Sequence, residues 1–185
     1  MKRTIATLIA VLAVGSGAAA RGEAPPPEST TIVLAGGAAQ NTIHIWLTPD
    51  GYSYVIDSAV PLEVGGTICQ NAPGNPNELI CEAPPIAGFI VDGGSHDDRV
   101  VVSGEIQVPV TLHGGAGRDV LVGGSGADMI VGGPGNDVLA GRGGDDVIYG
   151  GPGRDVLKGG AGDDVLHGGP GRDEVRGGSG TNVVS

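Results

Sequence analysis

Large side chains are scarce in this sequence. Its 185 residues include one Phe, three Tyr and one Trp, against 37 Gly and 13 Pro. So few bulky residues exclude a thick conventional core and a broad cleft lined by aromatics. Positive charge is also short, with 10 Lys+Arg facing 21 Asp+Glu for a net charge of −11. This balance argues against nucleic acid and anionic membranes as partners, and for cations. No apolar run reaches the ~20 residues that span a bilayer as a helix. Glycine at this level fits collagen, disorder or a repeat array, and its placement distinguishes them.

What is present begins with an export signal. Lys2 and Arg3 precede an uncharged apolar run from Ile5 to Val14, and Ala18-Ala19-Ala20 supplies a small-residue cleavage site. This is the pattern of a secretory signal peptide over residues 1–20, cleaved near Ala20. A Pro-rich linker follows over 21–30. An exported protein favours a disulfide between its two cysteines, Cys69 and Cys81, which flank a polar stretch.

From Gly114 to Ser185 the chain divides without a gap into eight nine-residue units. They read GGAGRDVLV, GGSGADMIV, GGPGNDVLA, GRGGDDVIY, GGPGRDVLK, GGAGDDVLH, GGPGRDEVR and GGSGTNVVS. Positions one and four are always Gly, and position two is Gly except at Arg142. Position six is Asp119, Asp128, Asp137, Asp146, Asp155, Asp164 or Asp173, then Asn182. Position eight is always aliphatic. Collagen needs Gly at every third residue, and flexible linkers hold no aliphatic register. A dinucleotide fingerprint or phosphate loop occurs once, between a strand and a helix, and does not recur eight times.

Each unit is a glycine-rich turn, then a carboxylate, then a short β-forming run whose alternation turns position eight to one face. The expected fold is all-β: a parallel β-roll, or β-solenoid. Position three holds Ala116, Pro134, Pro152 and Pro170 in the odd units, but Ser125, Gly143, Ala161 and Ser179 in the even ones. The true period is therefore nearer eighteen than nine, or two repeats per coil. Coils so stacked line up Asp119, Asp137, Asp155 and Asp173 along one edge, and Asp128, Asp146 and Asp164 along the other. Like charges in register repel, and a cation between successive turns removes the repulsion. Carboxylate and carbonyl oxygens suit calcium; zinc would want nitrogen or sulfur, and only His113 and His167 lie in or beside the array.

The units resemble the glycine-rich nonapeptide G-G-x-G-x-D-x-aliphatic-x of the repeats-in-toxin (RTX) calcium-binding proteins. The resemblance implies calcium held between stacked turns by the position-six carboxylates and by carbonyls of the glycine-rich positions. Carried over, Gly115, Gly117 and Asp119 would face Gly132, Pro134 and Asp137. On the other edge Gly124, Gly126 and Asp128 would face Gly141, Gly143 and Asp146. Up to about six ions would be sandwiched, and a seventh where Asp98 faces Asp119; Asn182 would make a weaker terminal site. The chain departs from many such proteins in its N-terminal signal, in having no recognisable enzymatic or toxic domain, and in an array that runs uncapped to Ser185.

Residues 31–113 keep traces of the same plan and are expected to form a β-rich, degenerate N-terminal cap. Two fragments fit the frame, one from Gly36 through Asn41 to His44 and one from Gly93 through Asp98 to Val101. Gly93 lies 21 residues before Gly114, which predicts one wider coil below the array. Thr42 to Thr48 and Tyr52 to Asp57 read as a hairpin around Pro49-Asp50-Gly51, and Ser103 to His113 as a strand. His44, Asp57, Ser95, His96 and Asp97 form no metalloprotease or nucleophile-elbow motif, so no catalytic site is expected. The functional expectation is an exported, non-enzymatic protein whose array folds on calcium. The alternatives are an adhesive or matrix protein using the roll as a spacer, with calcium-dependent self-association, or the non-catalytic tail of a secreted hydrolase.

Overall fold

The computed structural model describes residues 30–35, 40–47, 53–58, 69–82 and 86–185. The expected signal over 1–20 lies outside them, as do nearly all of the 21–30 linker, Gly36-Gly37 and Pro49-Asp50-Gly51. The described residues form strands and turns with no helix among them. Ahead of the array come β1 (Thr30–Ala35), β2 (Thr42–Leu47), β3 (Ser53–Ser58), β4 (Cys69–Ala72), β5 (Asn75–Glu82), β6 (Ile86–Ser95) and β7 (Arg99–Val102). Then follow β8 (Val110–Ala116), β9 (Val120–Val122), β10 (Met129–Val131), β11 (Val138–Gly143) and β12 (Val147–Tyr149). The last are β13 (Val156–Ala161), β14 (Val165–His167), β15 (Glu174–Ser179) and β16 (Val183–Val184).

The strands make two sheets. One has 7 strands in the order β1-β6-β8-β10-β12-β14-β16, and the other 9 in the order β15-β13-β11-β9-β7-β2-β3-β5-β4. From β6 onward successive strands alternate between the sheets, and each of β6 to β14 pairs in parallel with the strand two further on. The chain is therefore a parallel β-solenoid of β-roll form, with two nonapeptides per coil. Leu112, Ile130, Ile148, Leu166 and Val184 stack in register along one sheet. Val100, Leu121, Leu139, Leu157 and Val175 stack along the other.

These two ladders face each other and, apart from Val175 and Val184 at their C-terminal ends, form the core. Leu121, Ile130, Leu139, Ile148, Leu157 and Leu166 are each 0% exposed. Alternation along a short strand allows one inward side chain per unit, so the core is thin and needs no aromatics within the array. Towards the N-terminal end it thickens with Phe89, Val91, Ile43, Ile45 and Leu79, all buried.

The segment before Gly114 belongs to the same two sheets. β6 pairs with β8 and β7 with β9, which is the wider coil expected from the 21-residue offset. β2 and β3 pair antiparallel, as the hairpin reading expects, and β5 and β4 extend that antiparallel edge. The strand expected over Ser103 to His113 is corrected: 103–109 is a turn, and the strand starts at Val110. Pro109 has no N–H to give to a ladder, and the Ile106 N–H turns back onto the Ser103 carbonyl at 3.1 Å. Ile106 is buried at 1% exposure, so its apolar character serves the core from within a turn.

Candidate metal centre

The turns that join the sheets form two edges. The first edge carries the turns at 93–98, 114–119, 132–137, 150–155 and 168–173; the second carries 123–128, 141–146, 159–164 and 177–182. Each turn ends on its position-six residue. Asp98, Asp119, Asp128, Asp137, Asp146, Asp155 and Asp164 are buried, at 0 to 2% exposure. A buried carboxylate is costly unless it is partnered, so the partners of its two oxygens decide what the site is.

One oxygen is used for stacking. The N–H of Asp119 donates to Asp137 Oδ1 at 2.9 Å, Asp137 N–H to Asp155 Oδ1 at 2.8 Å, and Asp155 N–H to Asp173 Oδ1 at 2.9 Å. The second edge repeats this from Asp128 to Asp146 at 2.8 Å, Asp146 to Asp164 at 3.0 Å, and Asp164 to Asn182 at 2.9 Å. The degenerate unit joins the first edge, with Asp98 N–H on Asp119 Oδ1 at 2.8 Å and Asn41 N–H on Asp98 Oδ1 at 2.6 Å.

The other oxygen is left over. Oδ2 of Asp98, Asp119, Asp137, Asp146, Asp155 and Asp164 is buried and has no hydrogen-bond donor. Each points at the position-one glycine of its own turn, in the space a side chain would fill. A Cβ on Gly150 would lie 2.6 Å from Asp155 Oδ2 and 2.5 Å from the Gly168 carbonyl oxygen of the next turn. A Cβ on Gly93 would lie 2.7 Å from both Asp98 Oδ2 and the Gly114 carbonyl oxygen. The invariant first glycine thus lets a carboxylate of one turn and a carbonyl of the next converge. Among the described residues no three His, Cys, Asp or Glu side chains gather at one point, so the oxygens on offer are carbonyls with a carboxylate. Buried, all-oxygen and unpartnered, this donor set fits a hard divalent cation such as calcium.

The electrostatics point the same way. Burial pushes the carboxyl of Asp146 up to about 7, and those of Asp128 and Asp137 to about 6. Asp98, Asp119 and Asp155 are raised by the same cause, burial. Stacked neighbours add to it, since Asp128 and Asp164 both oppose ionisation of Asp146. Without a cation these groups resist carrying charge.

The glycine-rich turns stack through their backbones. Gly115 N–H donates to the Gly132 carbonyl at 3.0 Å, and Gly117 N–H to the Pro134 carbonyl at 3.1 Å. Gly124 and Gly126 lie in the turn beneath Gly141 and Gly143, joined through the Asp128–Asp146 bond. Among the described residues no turn stacks beyond Asp173, since β15 lies at the edge of its sheet. Sequence reasoning missed a second ladder at position five. Asp145 and Asp163 each accept the N–H of the residue one coil on, at 2.8 and 2.7 Å, and Asn136 accepts that of Arg154 at 2.9 Å. The signal was the recurrence of Asn or Asp at that position. The Ser95 hydroxyl and the His96 ring bond to each other, the His96 ring also meets the Ser95 carbonyl, and Asp97 Oδ1 accepts the Arg118 N–H.

A buried all-oxygen site repeated between coils of a parallel β-roll defines a class of metal-binding repeat protein. The family model of the RTX calcium-binding nonapeptide repeat matches this chain at residues 111–139, 122–157 and 149–184. The segment 111–184 is therefore an array of RTX calcium-binding nonapeptide repeats. No curated protein and no solved structure matches the chain.

Proposed function

We propose that this is an exported, non-enzymatic protein whose roll folds as calcium binds between its stacked turns. The observation that carries the reading is the set of six buried Oδ2 atoms without donors, each beside a glycine cradle. Asp98, Asp119, Asp137 and Asp155 on the first edge, and Asp146 and Asp164 on the second, would each hold an ion with carbonyls of the adjoining turns. The bound cation would supply the charge that lets these groups ionise while buried. Where free calcium is low the acidic array would stay unfolded. Outside the cell, near-millimolar calcium would select the folded state by binding it alone. Affinities near those of other extracellular calcium modules, ~10⁻⁴ to 10⁻³ M, would suffice.

Export rests on the Lys2-Arg3, Ile5–Val14 and Ala18–Ala20 pattern. A Cys69–Cys81 disulfide is supported by the register, which sets the two residues directly opposite each other in an antiparallel pair. A secondary reading as an extracellular assembly spacer draws on the outward apolar positions Met129, Val138 and Tyr149, at 44, 38 and 40% exposure. The test of the main reading is equilibrium dialysis of the purified protein against calcium, with magnesium as control. Several cooperative calcium ions per chain support it; one ion per chain, or equal binding of magnesium, contradicts it.

A further inference from the structure

Seven buried aspartates occupy position six on the two edges, but only six leave an oxygen without a donor. The exception is Asp128. Its Oδ1 accepts the Val110 N–H at 3.0 Å, and its Oδ2 accepts the Gly124 N–H at 2.8 Å. On the first edge the corresponding position-two N–H groups of Gly115, Gly133 and Gly151 go instead to carbonyls of the next turn.

The same corner holds the array's one departure from glycine at position two. Arg142 sits in the turn above Asp128 with φ 85°, a positive φ shared among the described non-glycine residues only by His96. Gly133, Gly151 and Gly169 hold similar positive φ at position two of their own units, where no side chain is strained. The arginine side chain runs back down the stack. Its Nη1 donates to the Gly123 carbonyl at 3.0 Å and to the Val102 carbonyl two coils below. Gly123 is the position-one glycine of the Asp128 turn, so the guanidinium lands on a carbonyl of the kind that elsewhere faces an unpartnered carboxylate oxygen. The turn beneath it, at 103–109, carries no aspartate; Val110 stands where the ladder would place one. The guanidinium charge also favours the ionised form of Asp128.

The first edge closes in a parallel way. Asn41 donates from Nδ2 to the Gly93 carbonyl at 2.9 Å and to Asp98 Oδ1 at 3.1 Å. A nitrogen donor thus caps the N-terminal end of each edge.

We propose that the Arg142 guanidinium is the resident cation at the N-terminal end of the second edge, in the gap between the 103–109 turn and the Asp128 turn, so that this gap holds no calcium. The proposal rests on the calcium reading above. It makes the array asymmetric: one edge position is closed by the chain itself, and the six with free oxygens await the metal.

The test compares calcium stoichiometry, by equilibrium dialysis and native mass spectrometry, in the full chain and in the variants Arg142→Gly and Arg142→Gln. Glycine restores the residue that the repeat has at position two everywhere else, so this variant should still form the roll. The expected result is one more calcium per chain in both variants than in the parent. A second readout is thermal unfolding in chelator: losing the guanidinium should lower the midpoint of Arg142→Gly although glycine relieves the positive φ. An unchanged calcium count with an unchanged or raised midpoint would overturn the proposal while leaving the calcium reading intact. Failure of the parent and both variants to bind any calcium would overturn that reading, and this proposal with it.

Discussion

At the scale of single residues, the two oxygens of Asp98, Asp119, Asp137, Asp146, Asp155 and Asp164 have different work. Oδ1 holds the stack through a backbone N–H, while Oδ2 is buried without a donor. Asp164→Asn keeps an oxygen for the Asp146 N–H but puts a neutral amide in place of the buried charge. It should cost one calcium per chain and raise the calcium midpoint, both read by dialysis, while the Asp164 ladder position stays occupied. Gly150→Ala tests the cradle from the other side. A methyl there would lie within 2.6 Å of both Asp155 Oδ2 and the Gly168 carbonyl, so it should remove a site and destabilise the folded roll, whereas replacing an exposed residue such as Lys158 should do neither. In the sequence Arg142 stands out only as the non-glycine at position two. Its destination, the carbonyls of Gly123 and Val102, depends on coils far away in sequence and was not legible beforehand.

At the scale of the element, one turn and one three-residue strand form a unit that cannot bury anything alone. Its position-eight side chain is covered only when the neighbouring coils stack on it. The aliphatic at every ninth residue made the strands and the core ladder legible, and the alternation at position three made the two-unit coil legible. The turn at 103–109 was not, because Glu105 to Leu112 alternates like a strand and only the pairing partner reveals where Pro109 stops it. Leu157 lies in the middle of its ladder at 0% exposure. Leu157→Ala should cost about 2–5 kcal/mol of stability in calcium, as a buried cavity does elsewhere. Thermal or denaturant unfolding at saturating calcium would measure it, and a cost below about 1 kcal/mol would mean that the roll collapses around the gap.

At the scale of the whole molecule, the stacked carboxylates couple stability to pH as well as to metal. Burial raises the folded-state carboxyls of Asp128 and Asp137 to about 6 and that of Asp146 to about 7, above the ordinary value of 3.8. Between the ordinary and the raised values the metal-free folded state holds protons that the unfolded chain has released. Its stability is therefore full below the ordinary value and is lost as pH rises through about 6 to 7. In chelator, β-structure should be greater at about pH 5.5 than at pH 8, whereas with saturating calcium the loss at high pH should disappear, because the cation then stabilises the ionised form. Circular dichroism across that range checks both halves.

The central claim is that the metal, and not the thin core alone, holds the roll together at neutral pH. The most direct measurement is a calcium titration of the purified protein at neutral pH followed by far-UV circular dichroism, with magnesium as control and chelator to reverse it. The account predicts a cooperative coil-to-β transition that calcium drives, magnesium does not, and chelator undoes. A β-rich spectrum already present in chelator and indifferent to calcium would contradict it.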